Sequence, residues 1–600
     1  MSEDQITRTL YLGDYQGDFI TPKMRFTTIF ASVALLCACY ASADNSTYLN
    51  PVLSGWHSDP SCVQVNGTFF CATSSFLTFP GIPIYASKDL INWSLISHVW
   101  SRESQLPGVS WNTTAAQGGL YAPTIRYHIG EFYVSSVYIV STVDIEVFGA
   151  VFKSADPFDI DGWSDPVRFE TSWRIDPDLF WDDDDTLYVA TSGILLQTLD
   201  LGTGDVGDSV SIWNGTGGES PEGPHIYKKD GWYYLLIAEG GTGLRHSVTI
   251  SRSANITGPY MPYDQNPILT NRDTDAYFQT VGHADLFQDA EDNWWGMCLT
   301  TRSGPEYEIY PMGREAALFP VSWGKGKWPV LDPVRGVMGG WKLPATLSNV
   351  FDGGVRNTDP DIHHFSAGSE VPLNFIYPRV PPSTVVMTDR GMQIIPTRSN
   401  LTGTWDAEVE LTGQHGIGFI GREQADTIFE FSMDITFSPQ AAQEEAGVSV
   451  FLTQYDHIDL GIVLHGDVNR TCNEHSYMYF RFGTQSTVHG STSRTIPVPG
   501  SWTTQPIRLE IISNNTTYTL SAKLAADPDN SILIGTAAAS IVSGGSGSFV
   551  GSLVGGFATC NGAGTGDKCP HDNIAFVHDW KYYGLEQQIS ATEIVESPWQ

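Results

Sequence analysis

Three acidic residues, Asp59, Asp176 and Glu222, begin copies of one repeated pattern in the first half of the chain. Each copy continues as an alternating apolar strand, turns at Asn, Asp or Gly and returns as an aromatic strand, which predicts one β-hairpin per copy. The five copies begin at Asp59, Ala122, Asp176, Glu222 and His283, at spacings of 63, 54, 46 and 61 residues. Such spacing is typical of the blades of a β-propeller, in which equivalent positions meet at the axis. We therefore expect the three acids and His283 to surround one central cavity.

Clustered carboxyl groups are suited to hydrolysis of a glycosidic bond, in which one carboxyl protonates the leaving oxygen and another, ionised, activates water. Glu222 is the expected acid, because nearby apolar and aromatic residues (Ile226, Tyr227, Trp232, Tyr233) would raise its pKa by desolvation. Asp59 is the expected general base, and Asp176 the carboxylate that raises the pKa of the acid by repulsion. Asp-Pro before a strand is often only a turn, but three equivalent acids facing one another would cost stability without a function. For His283 two roles are equally consistent with the sequence: a hydrogen bond to one of the carboxylates, or a purely structural role.

The composition restricts the classes of partner. The chain carries 67 acidic and 32 basic residues, a net charge of −35, which argues against nucleic acid and anionic membrane surfaces. A neutral sugar polymer is compatible with this charge. The length of 600 residues, of which 41% are hydrophobic, predicts two domains.

The N-terminal region predicts secretion. From Met24 a basic start, an apolar centre and an Ala-Ser-Ala exit form a signal-peptide pattern over residues 24–43. The apolar run of residues 29–41 is too short for a membrane span. Residues 1–23 are interpreted as an extension upstream of the true start. Numerous Asn-X-Ser/Thr sequons agree with an extracellular glycoprotein.

The cysteines predict two disulfides and no zinc site. Cys62 and Cys71 flank an Asn-Gly turn at positions that form a close, non-hydrogen-bonded cross-strand pair. A second bridge is expected between Cys560 and Cys569. The remaining mature cysteines, Cys298 and Cys472, are interpreted as a buried thiol and a surface thiol.

The whole chain is predicted to be all-β. Residues 44–335 hold the repeats, and residues 336–404, rich in Pro, Gly, Asp and Asn, are interpreted as a connector. Residues 405–600 alternate with period two, most clearly at 429–437, which predicts an antiparallel β-sandwich. The acidic run at 182–185 lacks the spacing of an EF-hand loop and is interpreted as a solvated turn.

The chain resembles glycoside hydrolase family 43. The resemblance covers the repeat region in order and continues into the sandwich at residues 444–464. It is carried by NPVLSGWHSDPS (50–61), FPGIPIYASKDLINW (79–93), LYAPTIRYH (120–128), IDPDLFWDDDDTLYV (175–189), EGPHIYKKDGWYYLLIAEGGTG (222–243), VGHADLF (281–287) and YPMGREAALFPVSW (310–323). The resemblance implies an inverting, exo-acting enzyme with a five-bladed β-propeller followed by a concanavalin A-like β-sandwich. The motifs look most like those of fungal arabinoxylan arabinofuranohydrolases.

The resemblance also implies roles for single residues. Asp59, Asp176 and Glu222 would be base, pKa modulator and acid, as argued from the repeats. Arg314 would contact a carboxylate and substrate hydroxyls. Pocket walls are implied at Trp56, His57 and Phe79, for which core packing is the other interpretation. No cofactor is implied, although some relatives carry a structural calcium ion near the axis.

The expected partners are arabinoxylan or xylan oligosaccharides, and three alternatives remain to α-L-arabinofuranosidase activity. A β-xylosidase, or a bifunctional enzyme, would use the same pocket because both sugars are pentoses. The retaining fructan-hydrolase clan has a similar architecture, but its characteristic motifs are not found at His57–Pro60 or Arg174–Asp176. A glycan-binding protein on an inactive propeller disagrees with the presence of all three acids.

Overall fold

The five repeats fold into five antiparallel sheets, each built from four strands that are consecutive in the chain, and the first sheet gains a fifth strand from residues 355–356. The computed structural model describes residues 45–113, 117–141, 145–345, 351–399, 401–402, 416–465, 477–566, 568–571 and 573–597. The predicted signal peptide and upstream extension lie outside the described residues. Each repeat supplies the first hairpin of its sheet, as the sequence predicted, and the chain then adds further strands.

Strand β1 (Asn45–Leu49) precedes the five repeat sheets. The first sheet contains β2 (Ser61–Val65), β3 (Thr68–Ala72), β4 (Gly81–Ser87) and β5 (Ser94–Trp100), and the second contains β6 (Gly119–His128), β7 (Glu131–Ser141), β8 (Ile145–Ser154) and β9 (Val167–Phe169). The third sheet contains β10 (Asp178–Trp181), β11 (Leu187–Thr191), β12 (Leu195–Thr198) and β13 (Val210–Ser211), and the fourth contains β14 (Glu222–Lys229), β15 (Trp232–Glu239), β16 (Ser247–Ser253) and β17 (Met261–Pro262). The fifth sheet contains β18 (Phe278–Gln288), β19 (Trp294–Arg302), β20 (Glu315–Ser322) and β21 (Val330–Leu331).

The first hairpin shows how local sequence fixes the register. Asn66 and Gly67 both have positive φ (51° and 74°), the conformation that a tight two-residue hairpin turn requires. Val65 then pairs with Thr68, and Cys62 with Cys71. The two cysteines form the predicted disulfide, with a Cα–Cα distance of 4.2 Å.

The C-terminal half forms two further sheets, and buried side chains of both pack into an apolar cluster that also includes side chains of the first two repeat sheets. The strands that follow the repeats are β22 (Val337–Trp341), β23 (Val355–Arg356), β24 (Asp361–His364), β25 (Val386–Thr388), β26 (Gly391–Ile394), β27 (Phe419–Glu423), β28 (Ile428–Thr436), β29 (Glu445–Thr453), β30 (Asp456–His465), β31 (Tyr477–Gln485), β32 (Thr492–Pro497), β33 (Ile507–Ser513), β34 (Thr517–Leu524), β35 (Asp527–Ala538), β36 (Leu553–Thr559), β37 (Ala575–Gln588) and β38 (Ile594–Glu596). The smaller sheet has the order β27-β36-β29-β30-β31-β32. The larger sheet has the order β25-β26-β37-β28-β33-β34-β35, with β24 and β38 also paired to β37. The period-two pattern of 429–437 is confirmed by β28, in which Phe429, Phe431, Met433 and Ile435 are fully or almost fully buried.

The segment interpreted as a connector contributes strands to both halves. β23 pairs with β5 of the first repeat sheet, whereas β24 and β26 pair with β37 of the larger C-terminal sheet. These strands have two to four residues, too few to give a period-two signal. The larger sheet therefore begins well before residue 405.

Helical structure among the described residues is limited to α1 (Val109–Asn112) and 3-10 turns at Glu103–Gln105, Ala539–Val542 and Gly545–Gly547. In this part of the chain no helix is long and apolar enough to cross a membrane. Cys560 and Cys569 form the second predicted disulfide, and Cys298 is the predicted buried thiol. Cys472 lies outside the described residues.

Candidate active site

The residues that lead the five repeats meet in one cavity of about 260 Å³. Asp59, Ala122, Asp176, Glu222 and His283 all line it, one from each repeat. The other lining residues are Phe76, Tyr121, Ile175, Ser220, Gly241, Thr242, Arg314 and Phe549. The repeat pattern therefore predicted correctly which residues come together.

The backbone at these leading positions is unusual. Asp59, Asp176 and His283 have φ values of 54°, 59° and 46°, and Gly223, next to Glu222, has a φ of 55°. A left-handed conformation at a non-glycine residue costs about 1 kcal/mol or more and is concentrated at functional sites. Three such residues at equivalent repeat positions indicate that the fold accepts an unfavourable backbone free energy in order to place these side chains.

Asp59 is held as an ionised carboxylate. Its Oδ1 lies 3.2 Å from both Arg314 Nη1 and His283 Nδ1, and its Oδ2 accepts a 2.7 Å hydrogen bond from Ser74 Oγ. Burial opposes ionisation, but the positive charges of Arg314 and His283 outweigh it and hold the pKa of Asp59 well below its ordinary value. An ionised carboxylate at the cavity surface can accept a proton from water.

Glu222 is held in the opposite protonation state. Burial, followed by repulsion from Asp176, raises its pKa to about 8. The pKa of Asp176 is itself raised, mainly by burial, although its Oδ2 accepts a 3.0 Å hydrogen bond from the Gly223 N–H. At neutral pH the cavity therefore contains a protonated acid and an ionised base, the combination that acid–base hydrolysis needs.

The source of the Glu222 desolvation differs from the sequence interpretation. Trp232 and Tyr233 pair with Lys229 and Lys228 at the far end of the β14–β15 hairpin, and neither lines the cavity. The aromatic residues that do are Phe76, Tyr121 and Phe549. These come from other parts of the chain, so spacing near Glu222 could not indicate them.

His283 bonds to a carboxylate, which was one of its two interpretations. Burial alone would lower its pKa, but Asp59, Asp176 and Glu222 raise the pKa to about 9. The imidazole is therefore a cation at neutral pH and donates its Nδ1 proton toward Asp59 Oδ1 at 3.2 Å.

Arg314 joins the base to the C-terminal half. Its Nη1 lies 3.1 Å from Thr242 Oγ1 as well as near Asp59, while Nε and Nη2 donate to the Phe549 carbonyl at 3.2 and 3.0 Å. The Phe549 N–H in turn donates to Gln117 Oε1. The Phe549 ring packs 6.1 Å from Phe76 between ring centroids. The C-terminal half thus supplies one wall of the cavity.

Three residues that the resemblance placed in the pocket lie behind its wall. Trp56 is 2% exposed and stacks on Phe76, with 5.8 Å between ring centroids. His57 is fully buried, with Nε2 2.7 Å from the Tyr85 hydroxyl. Phe79 packs edge-on against Trp100. None of the three lines the cavity, so core packing is the interpretation that describes them here.

The acidic run at 182–185 forms an ion-paired turn. Asp182 contacts Lys228 Nζ at 2.5 Å and accepts from the Tyr233 hydroxyl, and Asp183 pairs with the same lysine at 2.8 Å. Over the described residues, no group of three or more His, Cys, Asp or Glu side chains is arranged to hold a metal ion.

Comparison with known proteins identifies the family. Residues 48–329 match the model of glycosyl hydrolases family 43, and residues 363–576 match that of the beta xylosidase C-terminal concanavalin A-like domain. A non-reducing end alpha-L-arabinofuranosidase of Bacteroides ovatus is 34% identical over 531 residues, which cover 87% of this chain and 93% of that protein. The chain belongs to glycosyl hydrolases family 43.

Other family 43 proteins extend the similarity. A xylosidase/arabinosidase of Humicola insolens is 32% identical, over 70% of this chain and 77% of its own length. The crystal structure of a family 43 protein of Bacillus licheniformis superposes with a TM-score of 0.75 at 26% identity and covers 90% of this chain and all of that one. The protein is therefore a glycoside hydrolase, and its two halves correspond to the two halves of its relatives.

Phe549 is the cavity residue that the sequence interpretation missed most clearly. It is the one aromatic residue in the Gly- and Ser-rich segment 543–552. A lone aromatic residue in such a loop is a signal that could have drawn attention to it. The sequence offers no indication, however, that this loop reaches Arg314, which is 235 positions away.

Proposed function

We propose that this family 43 enzyme is an inverting, exo-acting α-L-arabinofuranosidase that removes terminal arabinofuranosyl side chains from arabinoxylan. The observation that carries the proposal is the meeting of Asp59, Asp176 and Glu222 in one cavity, where the surrounding groups lower the pKa of Asp59 and raise that of Glu222. An ionised carboxylate and a protonated acid in one cavity match the needs of glycosidic-bond hydrolysis, and the inverting course is the one that the family resemblance implies.

In the proposed mechanism Asp59 takes a proton from a water molecule as the water oxygen attacks the anomeric carbon. The bond from that carbon to the glycosidic oxygen breaks, and Glu222 gives its proton to the leaving oxygen. Asp176 keeps Glu222 protonated before the reaction through charge repulsion. Arg314 and the protonated His283 keep Asp59 ionised and fix its orientation.

The architecture supports an exo action on chain ends. We infer that the five repeat sheets are the five blades of a propeller, since the first strands of all five contribute to the cavity or its base. Phe549 adds a wall from the C-terminal half, and the volume of about 260 Å³ is that of a small pocket. A pocket of this kind admits a terminal sugar and its linkage.

Secretion is part of the proposal. The signal-peptide pattern of residues 24–43 motivates it, and two disulfides agree with an oxidising compartment. A protein that acts on a plant polymer must reach it outside the cell.

A β-xylosidase is the second candidate. Its specific support is the match of residues 363–576 to a beta xylosidase C-terminal domain, because that region supplies Phe549 to the pocket. The arabinofuranosidase proposal draws its support from the Bacteroides ovatus relative, which spans most of this chain at 34% identity.

The deciding experiment is incubation of the purified enzyme with arabinoxylan and, separately, with xylobiose, followed by chromatography of the released sugar. We expect free arabinose from arabinoxylan, with the anomeric configuration inverted in NMR spectra recorded during the first turnovers. A Glu222→Gln variant serves as the inactive control. Release of xylose from xylobiose without arabinose from arabinoxylan would replace the proposal with the β-xylosidase, and retention of configuration would refute the mechanism.

A further inference from the structure

Directly beneath the cavity, a single guanidinium group contacts the first strands of all five repeat sheets. Arg126, in β6, has one side-chain or carbonyl partner on each of β2, β6, β10, β14 and β18. Its Nη1 lies 2.8 Å from Asp285 Oδ2, 3.2 Å from Ser61 Oγ and 3.0 Å from the Ile125 carbonyl, and its Nη2 lies 2.7 Å from Asp178 Oδ1 and 3.0 Å from His225 Nδ1.

The partners of Arg126 are also bound to one another. Asp285 Oδ2 accepts a 2.6 Å hydrogen bond from Ser61 Oγ, and its Oδ1 accepts one of 2.7 Å from the Tyr227 hydroxyl. Asp178 Oδ2 accepts from the Ile226 N–H at 3.0 Å. The two carboxylates are 0% and 1% exposed, whereas Arg126 is 19% exposed. Asp178 Oδ1 is held by its ion pair with Arg126 and not by a hydrogen bond. The hydrogen bonds at the other atoms of this buried network hold its members in one arrangement.

This network lies next to the catalytic residues in sequence as well as in space. Ser61, Asp178 and Asp285 each follow a cavity residue by two positions, namely Asp59, Asp176 and His283. A displacement of any of these strands would therefore move a catalytic group. Positioning errors of about 1 Å can cost roughly a hundredfold in rate.

The network also settles the tautomer of His225. A guanidinium group can only donate hydrogen bonds, so His225 Nδ1 must be the acceptor and the ring proton must be on Nε2. The His225 ring centroid lies 6.4 Å from that of His283.

The position does not fit a metal ion. Some members of the family that the chain resembles carry a structural calcium ion near the axis. A calcium site needs six to eight oxygen ligands arranged around an empty centre. Here a positively charged, donor-only group stands between Asp178 and Asp285 and takes up their inward-facing oxygens. The cation that these two carboxylates need is part of the polypeptide.

We propose that Arg126 is a positioning residue whose guanidinium group takes the place of a metal cation between Asp178 and Asp285. Through its contacts with the first strands of the five sheets it fixes the spacing of the catalytic carboxyl groups. The enzyme therefore works without a divalent metal. A fork of five N–H donors can reach several strands at once, which the single ammonium group of lysine cannot. The expected change in kcat rests on the proposed function, whereas the expected change in melting temperature does not.

Arg126 can also be reached from the ends of the first strands that lie away from the active-site cavity. An Arg126→Ala variant can therefore be tested for rescue of its activity by added guanidinium ion. A second cavity of about 610 Å³ is lined there by Arg126, Tyr127, Trp181 and Trp294, among others. If the arginine side chain is cut back to alanine, guanidinium ion added to the buffer can enter through this mouth and occupy the vacated space.

The experiment compares wild type with Arg126→Ala, Arg126→Lys and the control Arg252→Ala. Arg252 lies in β16 of the fourth sheet, stacks over Trp232 and Trp328 and is not part of the network. We expect the melting temperature and kcat of wild type to be the same after dialysis against EDTA and after addition of Ca²⁺. Arg126→Ala should melt about 5 °C or more lower and lose roughly tenfold to a hundredfold in kcat at 25 °C, with little change in KM.

Millimolar guanidinium chloride, far below denaturing concentrations, should restore part of the kcat of Arg126→Ala and leave Arg252→Ala unchanged. Arg126→Lys should fall between wild type and Arg126→Ala. A folded Arg126→Ala with nearly wild-type kcat, or a loss of kcat that guanidinium does not reverse, would overturn the positioning role.

The comparison of EDTA-treated and Ca²⁺-treated enzyme uses wild type, so it tests the inference even if Arg126→Ala fails to fold. A fall in the wild-type melting temperature in EDTA that Ca²⁺ reverses would overturn the inference. An enzyme that folds with these thermal properties but cleaves no arabinoside or xyloside would refute the proposed function instead.

Discussion

Replacing Asp176 with asparagine should shift the alkaline limb of the pH profile to lower pH. Asp176 is the largest charge-based cause of the raised pKa of Glu222, after burial. It also helps to raise the pKa of His283. Removing a negative neighbour lowers the pKa of a carboxylic acid and of an imidazolium alike, so the sign is the same whichever group titrates. Asparagine retains an oxygen that can accept the Gly223 N–H.

The size of the shift follows from Coulomb's law. Two unit charges about 4 Å apart interact by about 1 kcal/mol in water and about 4 kcal/mol at an effective dielectric constant near 20. Since one pKa unit corresponds to about 1.4 kcal/mol, the limb should move down by about one to three pH units. The starting value is the pKa of about 8 at Glu222.

The assay is kcat/KM for an aryl arabinofuranoside between about pH 4 and pH 10, since this parameter reports ionisations of the free enzyme. Activity must fall as the pH rises through the pKa of Glu222, because the proton donor is lost. Asp183→Asn is the matched control, because this carboxylate in the same sheet is 83% exposed and pairs with Lys228. An alkaline limb that stays in place in Asp176→Asn would refute the assignment of Asp176.

Three further changes test other parts of the site. Glu222→Gln should lower kcat on arabinoxylan by about 10²- to 10⁴-fold and remove the alkaline limb; steady-state rates that stay close to wild type would contradict its role. Phe549→Ala should raise KM more than it lowers kcat, with Phe549→Tyr as the control; an unchanged KM would show that the wall does not touch the sugar. Arg302→Met leaves the buried Glu315 unpaired and should lower the free energy of unfolding by about 3–5 kcal/mol, measured by denaturant titration. The double variant with Glu315→Leu should recover much of this loss, and equal instability of both would argue against the pair.

The three acids proposed to be catalytic could be predicted from the sequence because the pattern that marks them is local. Each repeat is a hairpin whose turn and alternation are visible in about fifteen residues. Asp59, Asp176 and Glu222 have equivalent positions in their repeats, and these equivalent positions line one cavity. The raised pKa of Glu222 was likewise predictable, since it follows from burial and from the neighbouring carboxylate Asp176. The lowered pKa of Asp59 depends instead on the positive charges of Arg314 and His283, which come from the fifth sheet.

The walls of the pocket were not predictable in the same way. Phe549 reaches the cavity through contacts that join positions 235 residues apart, and no periodicity records such a contact. Trp56 and His57 lie within three positions of Asp59 in sequence, and Phe79 lies three positions from Phe76, yet all three pack into the core behind the cavity. Proximity in sequence places a residue near the cavity, but whether its side chain lines the cavity or packs behind it depends on the neighbours that bury it.

Arg314 shows why the two halves must be treated as one catalytic unit. Its guanidinium divides its donors between the Asp59 carboxylate and the Phe549 carbonyl. The adjacent Glu315 binds Arg302, which in turn donates to Gln587 and the Gln588 carbonyl of β37. The ionisation of the base and the placement of the aromatic wall therefore depend on the same short segment of the fifth sheet. A change in the packing of the C-terminal half would move Phe549 and, through the same guanidinium group, alter the charge environment of Asp59.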